Sequence, residues 1–221
     1  MKAGIATLRR AMTQESTATF SAAIAHLRKG GVLIYPTETS YAIGCDATNA
    51  HAVASIFRMK GRASEQSLPL IVASRAMAER YATFTLLARR LTARHWPGPL
   101  TVVLTVRARR FSPPPKRGGA RGGWRPLARG IIARDHTIAL RLSAHPIART
   151  LSRRLGKPIV STSANRSGHP PARSAIAARR AFPQSSILIL DSGASRPRRP
   201  STIVDARTRH AIVLRKGAII L

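Results

Sequence analysis

Three features of the 221-residue chain predict an α/β fold, a twisted mixed parallel and antiparallel sheet with flanking helices. Short apolar runs alternate with amphipathic segments of helical period, the pattern of strands covered by helices. Apolar residues make up 44% of the chain, enough for a core, and the length suits one domain better than two. Toward the end, extra strands follow without matching helices, so the sheet is expected to be mixed.

In order, residues 1–15 read as an arm in front of a domain spanning 16–221. Ser16 or Thr17 caps a helix to Lys29, with Phe20, Ile24 and Leu27 on one face and Gly30-Gly31 as its stop. Residues 31–35 form an apolar strand, which Pro36 ends because its ring removes a backbone donor. A hydroxyl-rich turn then leads through Gly44 to a helix over 51–59, capped by Asn49, with Val53, Ile56 and Phe57 as the buried stripe. That helix delivers Lys60 and Arg62 to its C-terminal end.

A strand is expected over 68–73, then helices over 75–81 and 86–95, the second stopped by Trp96-Pro97-Gly98-Pro99, and a strand over 100–106. Residues 107–135 break the pattern: rich in Arg, Gly and Pro, with Trp124 as main aromatic, their composition predicts a mobile basic loop. A strand over 137–142 and a helix over 146–155, with Pro146 in its first turn, restore order. Then come a strand over 158–162, a helix over 172–181, a strand over 187–190, a Pro/Arg loop to Pro200, and strands over 202–205 and 211–215.

The charge is extreme: 38 Lys plus Arg against 8 Asp plus Glu, a net charge of +30. Such a field favours polyanions, either nucleotide phosphates or a nucleic-acid backbone, although drift toward Arg would also raise it everywhere. Cys45 is alone, which excludes a disulfide framework and a cysteine-based zinc site and fits a reducing, cytoplasmic setting. No apolar run reaches the ~20 residues of a membrane span, and residues 1–14 lack the continuous apolar stretch of a signal peptide.

Three strands end in polar clusters: Thr37 with Thr39, Ser161 with Ser163 and Asn165, and Ser201 followed by Arg215 on the next strand. Ligands of open α/β sheets favour the crevice at strand ends, so these clusters are expected to share one cleft. Arg62, Arg141 and Arg215 supply guanidinium forks for phosphate or carboxylate. Each alone also fits local backbone capping or a solvated face. The scattered acids give no carboxylate cage for a metal and no glycosidase pair, and neither a P-loop, a dinucleotide fingerprint nor a Gly-x-Ser-x-Gly elbow is present.

Eight pieces in this order resemble the YrdC-like family of threonylcarbamoyl-AMP synthases, of the short type without a C-terminal extension. They are Tyr35-Pro-Thr-Glu-Thr-Ser-Tyr-Ala-Ile-Gly44, Lys60-Gly-Arg62, Trp96-Pro-Gly-Pro-Leu-Thr101, Thr137-Ile-Ala-Leu-Arg141, His145-Pro146, Ser163-Ala-Asn-Arg-Ser-Gly168, Ser201-Thr-Ile-Val-Asp205 and Leu214-Arg-Lys-Gly217. The resemblance implies a single domain with a basic cavity, and a nucleotidyl transfer in which L-threonine, bicarbonate and ATP give threonylcarbamoyl-AMP and pyrophosphate. A downstream transfer complex would then modify tRNA, and Mg²⁺ would arrive with ATP rather than in a dedicated protein cage.

Carried over by position, the resemblance makes Lys60 and Arg62 catalytic cations on the phosphates. Thr39, Arg141, Ser161 and Ser201 would hold threonine; Gln66, Thr137, Ser163, Asn165 and Arg215 would join Lys60 and Arg62 around ATP, with Thr37 a supporting hydroxyl. The chain departs from the family at Ala63, Gln66, Ala73 and Pro171, changes that bear on rate and affinity more than on fold. Two other readings remain open: a YciO-like relative with a different substrate, and a non-catalytic protein binding double-stranded RNA or assembling ribosomes.

Overall fold

The computed structural model describes residues 14–61, 67–107, 126–196 and 198–221. Helix α1 spans Gln14–Arg28, and strands β1 (Leu33–Pro36) and β2 (Tyr41–Gly44) follow as a hairpin closed by residues 37–40. Helix α2 (Ala50–Lys60) begins where Asn49 Oδ1 accepts from Ala52 N and ends at Gly61, whose φ of +59° is the left-handed value glycine tolerates. Next come β3 (Leu70–Ile71), α3 (Arg75–Tyr81), α4 (Leu86–His95), β4 (Leu100–Thr105) and β5 (Thr137–Arg141). Helix α5 (Pro146–Leu155), β6 (Ile159–Val160), β7 (Thr162–Ser163), α6 (Ala175–Ala181), β8 (Leu188–Ile189), β9 (Thr202–Asp205) and β10 (Ile212–Arg215) complete the order.

The α/β prediction holds, but the strands form two mixed sheets rather than one. The smaller runs β7-β2-β1-β8 and the larger β10-β9-β4-β5-β3-β6. The single strand expected over 158–162 is split between them. Val160 N donates to Cys45 O at 2.9 Å, Ser161 N to Pro69 O at 2.8 Å, and Thr162 already pairs with Ile43 in the smaller sheet. Ser161 therefore stands at the corner where the chain changes sheets.

Strand β2 was hidden in what reads as a turn, because Tyr41, Ala42, Ile43 and Gly44 are all buried and show no alternation. Gly44 is required there: a Cβ would lie 1.8 Å from Val160 O. Buried side chains form two clusters on opposite faces of the strands. Ile34, Ile56, Phe57, Leu70, Leu100 and Leu140 belong to one; Leu27, Leu33, Tyr35, Ile71 and Leu151 belong to the other.

The expectation of a mobile 107–135 loop needs correction at its far end, while 108–125 lie outside the described residues. Ala128 N donates to Ala47 O at 2.9 Å and Ile131 is fully buried. The average composition of the stretch concealed the apolar Leu127-Ala128 and Ile131, which have a core to join. Most of the expected arm, residues 1–13, is likewise outside the described residues. No helix among the described residues is long and apolar enough to cross a membrane.

Candidate active site

The hairpin loop 37–40 is the meeting point. Thr37 is buried and closes the loop: its hydroxyl donates to Ser40 O at 2.7 Å and accepts from the backbone of Thr39 and Ser40 at 3.3 Å. The Thr39 hydroxyl lies 3.1 Å from that of Thr37. With the loop so braced, Glu38 reaches the C-terminal end of β5 and pairs with Arg141, Oε1 to Nη2, at 2.7 Å.

Glu38 carries more bonds than a surface acid would. Its carboxylate also accepts from the Ser143 hydroxyl and, at 3.1 Å, from Ala144 N. Burial pushes its pKa up, but Arg141, Ser143 and Ala144 outweigh that and hold it below the ordinary carboxylate value. Arg141 is less well served. It is 9% exposed; Nη2 faces the Glu38 carboxylate at 2.7 Å, while Nε is buried with no hydrogen-bond partner among the described residues. A buried donor left unmatched costs about 1–3 kcal/mol, which a ligand carboxylate would recover.

Beyond Ser143, the His145 ring caps α5, its Nδ1 accepting from Ile147 N at 3.3 Å. Burial lowers the His145 pKa, the nearby Glu38 charge opposes this, and Arg149 adds to the lowering.

On the other flank, Lys60 is buried at the end of α2. Its Nζ donates to Ser163 O and Asn165 O, both at 2.7 Å, and to Asn165 Oδ1 at 3.3 Å. Asn165 Oδ1 also accepts from the Ser163 hydroxyl, and its amide nitrogen donates to His169 O. The Lys60 ammonium thus meets oxygens of Ser163 and Asn165, and both ends of the Asn165 amide are engaged. Lys60 and Asn165 hold residues 163–169 against α2, which positions Ser163 next to the hairpin through its pairing with Ala42.

The third cluster forms where β4, β5, β9 and β10 come together. Thr101, one step beyond the Val102–Leu140 pair and so facing Arg141 across the ladder, places its hydroxyl 3.0 Å from that of Ser201. Arg215 Nη2 donates to Ser201 O at 2.7 Å and to Ser201 Oγ at 2.9 Å. Burial lowers the Arg215 pKa and the like charge of Arg141 lowers it further, so the two guanidiniums share one field. Tyr35, its phenol donating to Val160 O at 3.0 Å, lies beside the Ser161 hydroxyl and within reach of the Arg141 charge.

The structure thus gathers Thr37, Thr39, Arg141, Ser161, Ser201 and Arg215 around the hairpin loop, with Lys60, Ser163 and Asn165 on its flank. Thr137 stands apart. It is at the opposite end of β5 from Arg141, about 13 Å away by strand rise, and its hydroxyl donates to Asp135 at 2.7 Å. Its contacts lend no support to a nucleotide role. Arg62 and Gln66 lie outside the described residues. Sequence reasoning missed Glu38, Ser143, His145 and Thr101 as functional groups. The signal for Glu38 was its place in the Pro-Thr-Glu-Thr run; nothing local pointed to Ser143 or Thr101.

The Sua5/YciO/YrdC family model, described as "Telomere recombination", matches residues 25–217. A protein of Thiobacillus denitrificans named threonylcarbamoyl-AMP synthase is 39% identical over 191 residues, covering 83% of this chain and 89% of its own length. The chain belongs to the Sua5/YciO/YrdC family. A Laribacter hongkongensis member with the same name is 40% identical, over 83% of this chain and 90% of its own. P. abyssi Sua5, solved in complex with L-threonine, superposes with a TM-score of 0.78 at 32% identity. That match covers 90% of this chain but 54% of the Sua5 chain, so the present chain spans about half of it. Escherichia coli YciO shares the fold, with a TM-score of 0.73, 24% identity and coverage of 90% and 89%.

Proposed function

We propose that the chain is an L-threonylcarbamoyladenylate synthase, a nucleotidyltransferase that makes threonylcarbamoyl-AMP and pyrophosphate from L-threonine, bicarbonate and ATP. The observation that carries the reading is Arg141, a buried guanidinium whose Nε has no hydrogen-bond partner among the described residues, beside the Thr39, Ser161 and Ser201 hydroxyls. A small zwitterion suits it: carboxylate on Arg141, side-chain hydroxyl and amine among the three hydroxyls. The relatives named threonylcarbamoyl-AMP synthase and the threonine-bound Sua5 support this choice over a YciO-like substrate.

The chemistry follows from charge. The threonine amine and bicarbonate give a carbamate and water; a carbamate oxygen then attacks the α-phosphorus of ATP and pyrophosphate leaves. Two anions must meet, so cations and positioning dominate and no covalent intermediate is needed. Arg215, held by Ser201 and in the same field as Arg141, would approach the nucleotide. The Ser163 hydroxyl, oriented by Asn165 and Lys60, is the other candidate on its flank. With Lys60 spent on the backbone, Arg62 is the cation of the Lys-x-Arg pair left for phosphate. Arg62→Ala is expected to lower turnover at least ~100-fold, and a near-normal rate removes Arg62 from the site. Mg²⁺ would arrive on ATP and offset phosphate charge.

The product would pass to a downstream transfer complex acting on tRNA in the cytoplasm, and the net charge of +30 favours RNA as a direct partner. The test is pyrophosphate release by purified protein. Release that requires both threonine and bicarbonate supports the synthase. Release indifferent to threonine, or none alongside salt-sensitive RNA binding, points instead to the non-catalytic RNA-binding reading.

A further inference from the structure

A cleft of about 250 Å³ opens beside the hairpin loop, lined by Glu38, Thr39, Pro99, Arg198, Arg199 and Ala218. Its two arginines come from the segment between β8 and β9, which is tied down at both ends. At the near end, the Tyr41 phenol donates to Asp191 at 2.7 Å, and Ser195 N donates to Arg173 O at 2.7 Å. At the far end, Ala218 N donates to Pro200 O at 2.9 Å, and Ser201 is held by Thr101 and Arg215. Gly217 permits that closure, since a Cβ there would lie 2.3 Å from Pro200 O. The segment is a strap with fixed ends and a cationic middle.

Among the described residues nothing neutralises that middle. Of the chain's eight acids, the side chains of Glu15 and Glu65 lie outside the described ones. Glu38 is paired with Arg141, Asp46 with Lys157, Glu79 with Arg75 and Arg89, and Asp135 and Asp205 with Arg207, while Asp191 is bonded to Tyr41. Arg198 and Arg199 form no ion pair among the described residues. Two unneutralised guanidiniums on a concave wall attract an external anion, and forks of this kind match oxyanions. The size bounds the guest: drug-sized ligands occupy roughly 300–1,000 Å³, so this cleft suits something smaller than a whole nucleotide.

We propose that Arg198 and Arg199 form an oxyanion subsite beside Thr39, taking a small oxyanion of the bicarbonate or pyrophosphate class. Naming those two anions rests on the synthase reading; the existence of the subsite does not. Pyrophosphate and ¹³C-labelled bicarbonate are titrated into the full chain by ³¹P and ¹³C NMR at constant ionic strength. The double variant Arg198→Ala/Arg199→Ala is compared with Arg90→Ala/Arg94→Ala, which removes two exposed arginines of α4.

The strap variant is expected to weaken one of the anions by about tenfold or more, with the α4 variant near wild type. Equal weakening in both variants, or none in the strap variant, overturns the proposal. Steady-state kinetics separate the two guests. A raised KM for bicarbonate with an unchanged KM for threonine identifies bicarbonate; weaker product inhibition by pyrophosphate identifies the leaving group. If the binding difference holds while the wild type forms no adenylate, the subsite stands and the synthase reading falls.

Discussion

Two buried cations flank the same hairpin loop and have opposite fates. Lys60 is 4% exposed and its ammonium meets three oxygens of residues 163 and 165. Arg141 is 9% exposed and pairs with Glu38 through Nη2, yet its Nε has no hydrogen-bond partner among the described residues. A buried charge with its hydrogens matched is part of the framework, whereas one left short is a place for a ligand. On the proposed reading, Lys60 holds the site together and Arg141 holds the substrate, and the two roles can be tested separately.

The sharpest way to break this contrast is Arg141→Ala. It removes the fork and leaves the Glu38 carboxylate buried beside Ser143 and Ala144, so stability should fall by about 3–5 kcal/mol and threonine-dependent turnover should vanish. Thermal shift tests the substrate role separately. Threonine at a hundred times its Kd should stabilise the wild type by about 2.7 kcal/mol and leave Arg141→Ala unmoved. A full threonine shift in that variant would remove Arg141 from the binding site.

Lys60→Met supplies the other half. It leaves the carbonyls of Ser163 and Asn165 without their donor, for a stability loss of about 3 kcal/mol, read from urea midpoints. The threonine shift should survive, because Lys60 makes none of the contacts around Arg141. A variant with wild-type stability but no turnover would return Lys60 to the role of a direct phosphate ligand.

Why the distinction escaped the sequence is plain from these residues. A lysine at the end of a helix reads the same whether it faces solvent, phosphate or carbonyl oxygens. The oxygens that decide the matter lie more than a hundred positions later, at Ser163 and Asn165. Helices were legible because their signals are local: Asn49 and Gly61 bound α2, and His145-Pro146 and Gly156 bound α5. Strand β2 was not, since both its faces are buried and the alternation that marks a strand is missing. The division into two sheets was not either, because it depends on Ser161 bonding Pro69 across the molecule. Position within the motifs singled out most of the residues that the fold brings to the hairpin loop; how their polar atoms are engaged required the packing.

Glu38→Gln is the next smaller perturbation. The amide can still accept from Ala144 N but no longer offsets the Arg141 charge, so the guanidinium loses its orientation. A rise of about tenfold in KM for threonine is expected, a factor of ten being 1.4 kcal/mol, with kcat less affected and Glu38→Asp intermediate. The same variant should flatten acid sensitivity. The Glu38 pKa is lower folded than unfolded, so its contribution is full above the ordinary carboxylate value near 4.5 and is lost as pH falls through the folded value. Urea midpoints of the wild type should therefore drop below pH 4.5 more steeply than those of Glu38→Gln. Parallel curves would mean that Glu38 and Arg141 are not coupled.

The smallest effect belongs to His145, which caps α5 through Nδ1 while its ring faces the Glu38 and Arg149 charges. Burial, partly opposed by Glu38, keeps its pKa below the ordinary value of 6.5, so between the folded value and 6.5 the unfolded chain binds more protons than the folded one. Stability must rise with pH across that window and level off above 6.5. His145→Asn keeps a capping side chain and removes the titration, so the slope below pH 6.5 should disappear while the plateau stays near that of the wild type. Because Glu38 is the group opposing the burial effect, Glu38→Gln should lower the His145 pKa further and move the start of the plateau's decline no higher than 6.5. ¹H–¹³C NMR titration of the His145 ring reads this directly, and an unchanged pKa in Glu38→Gln would show that the cap and the Glu38–Arg141 pair, which meet at Ser143, are not coupled.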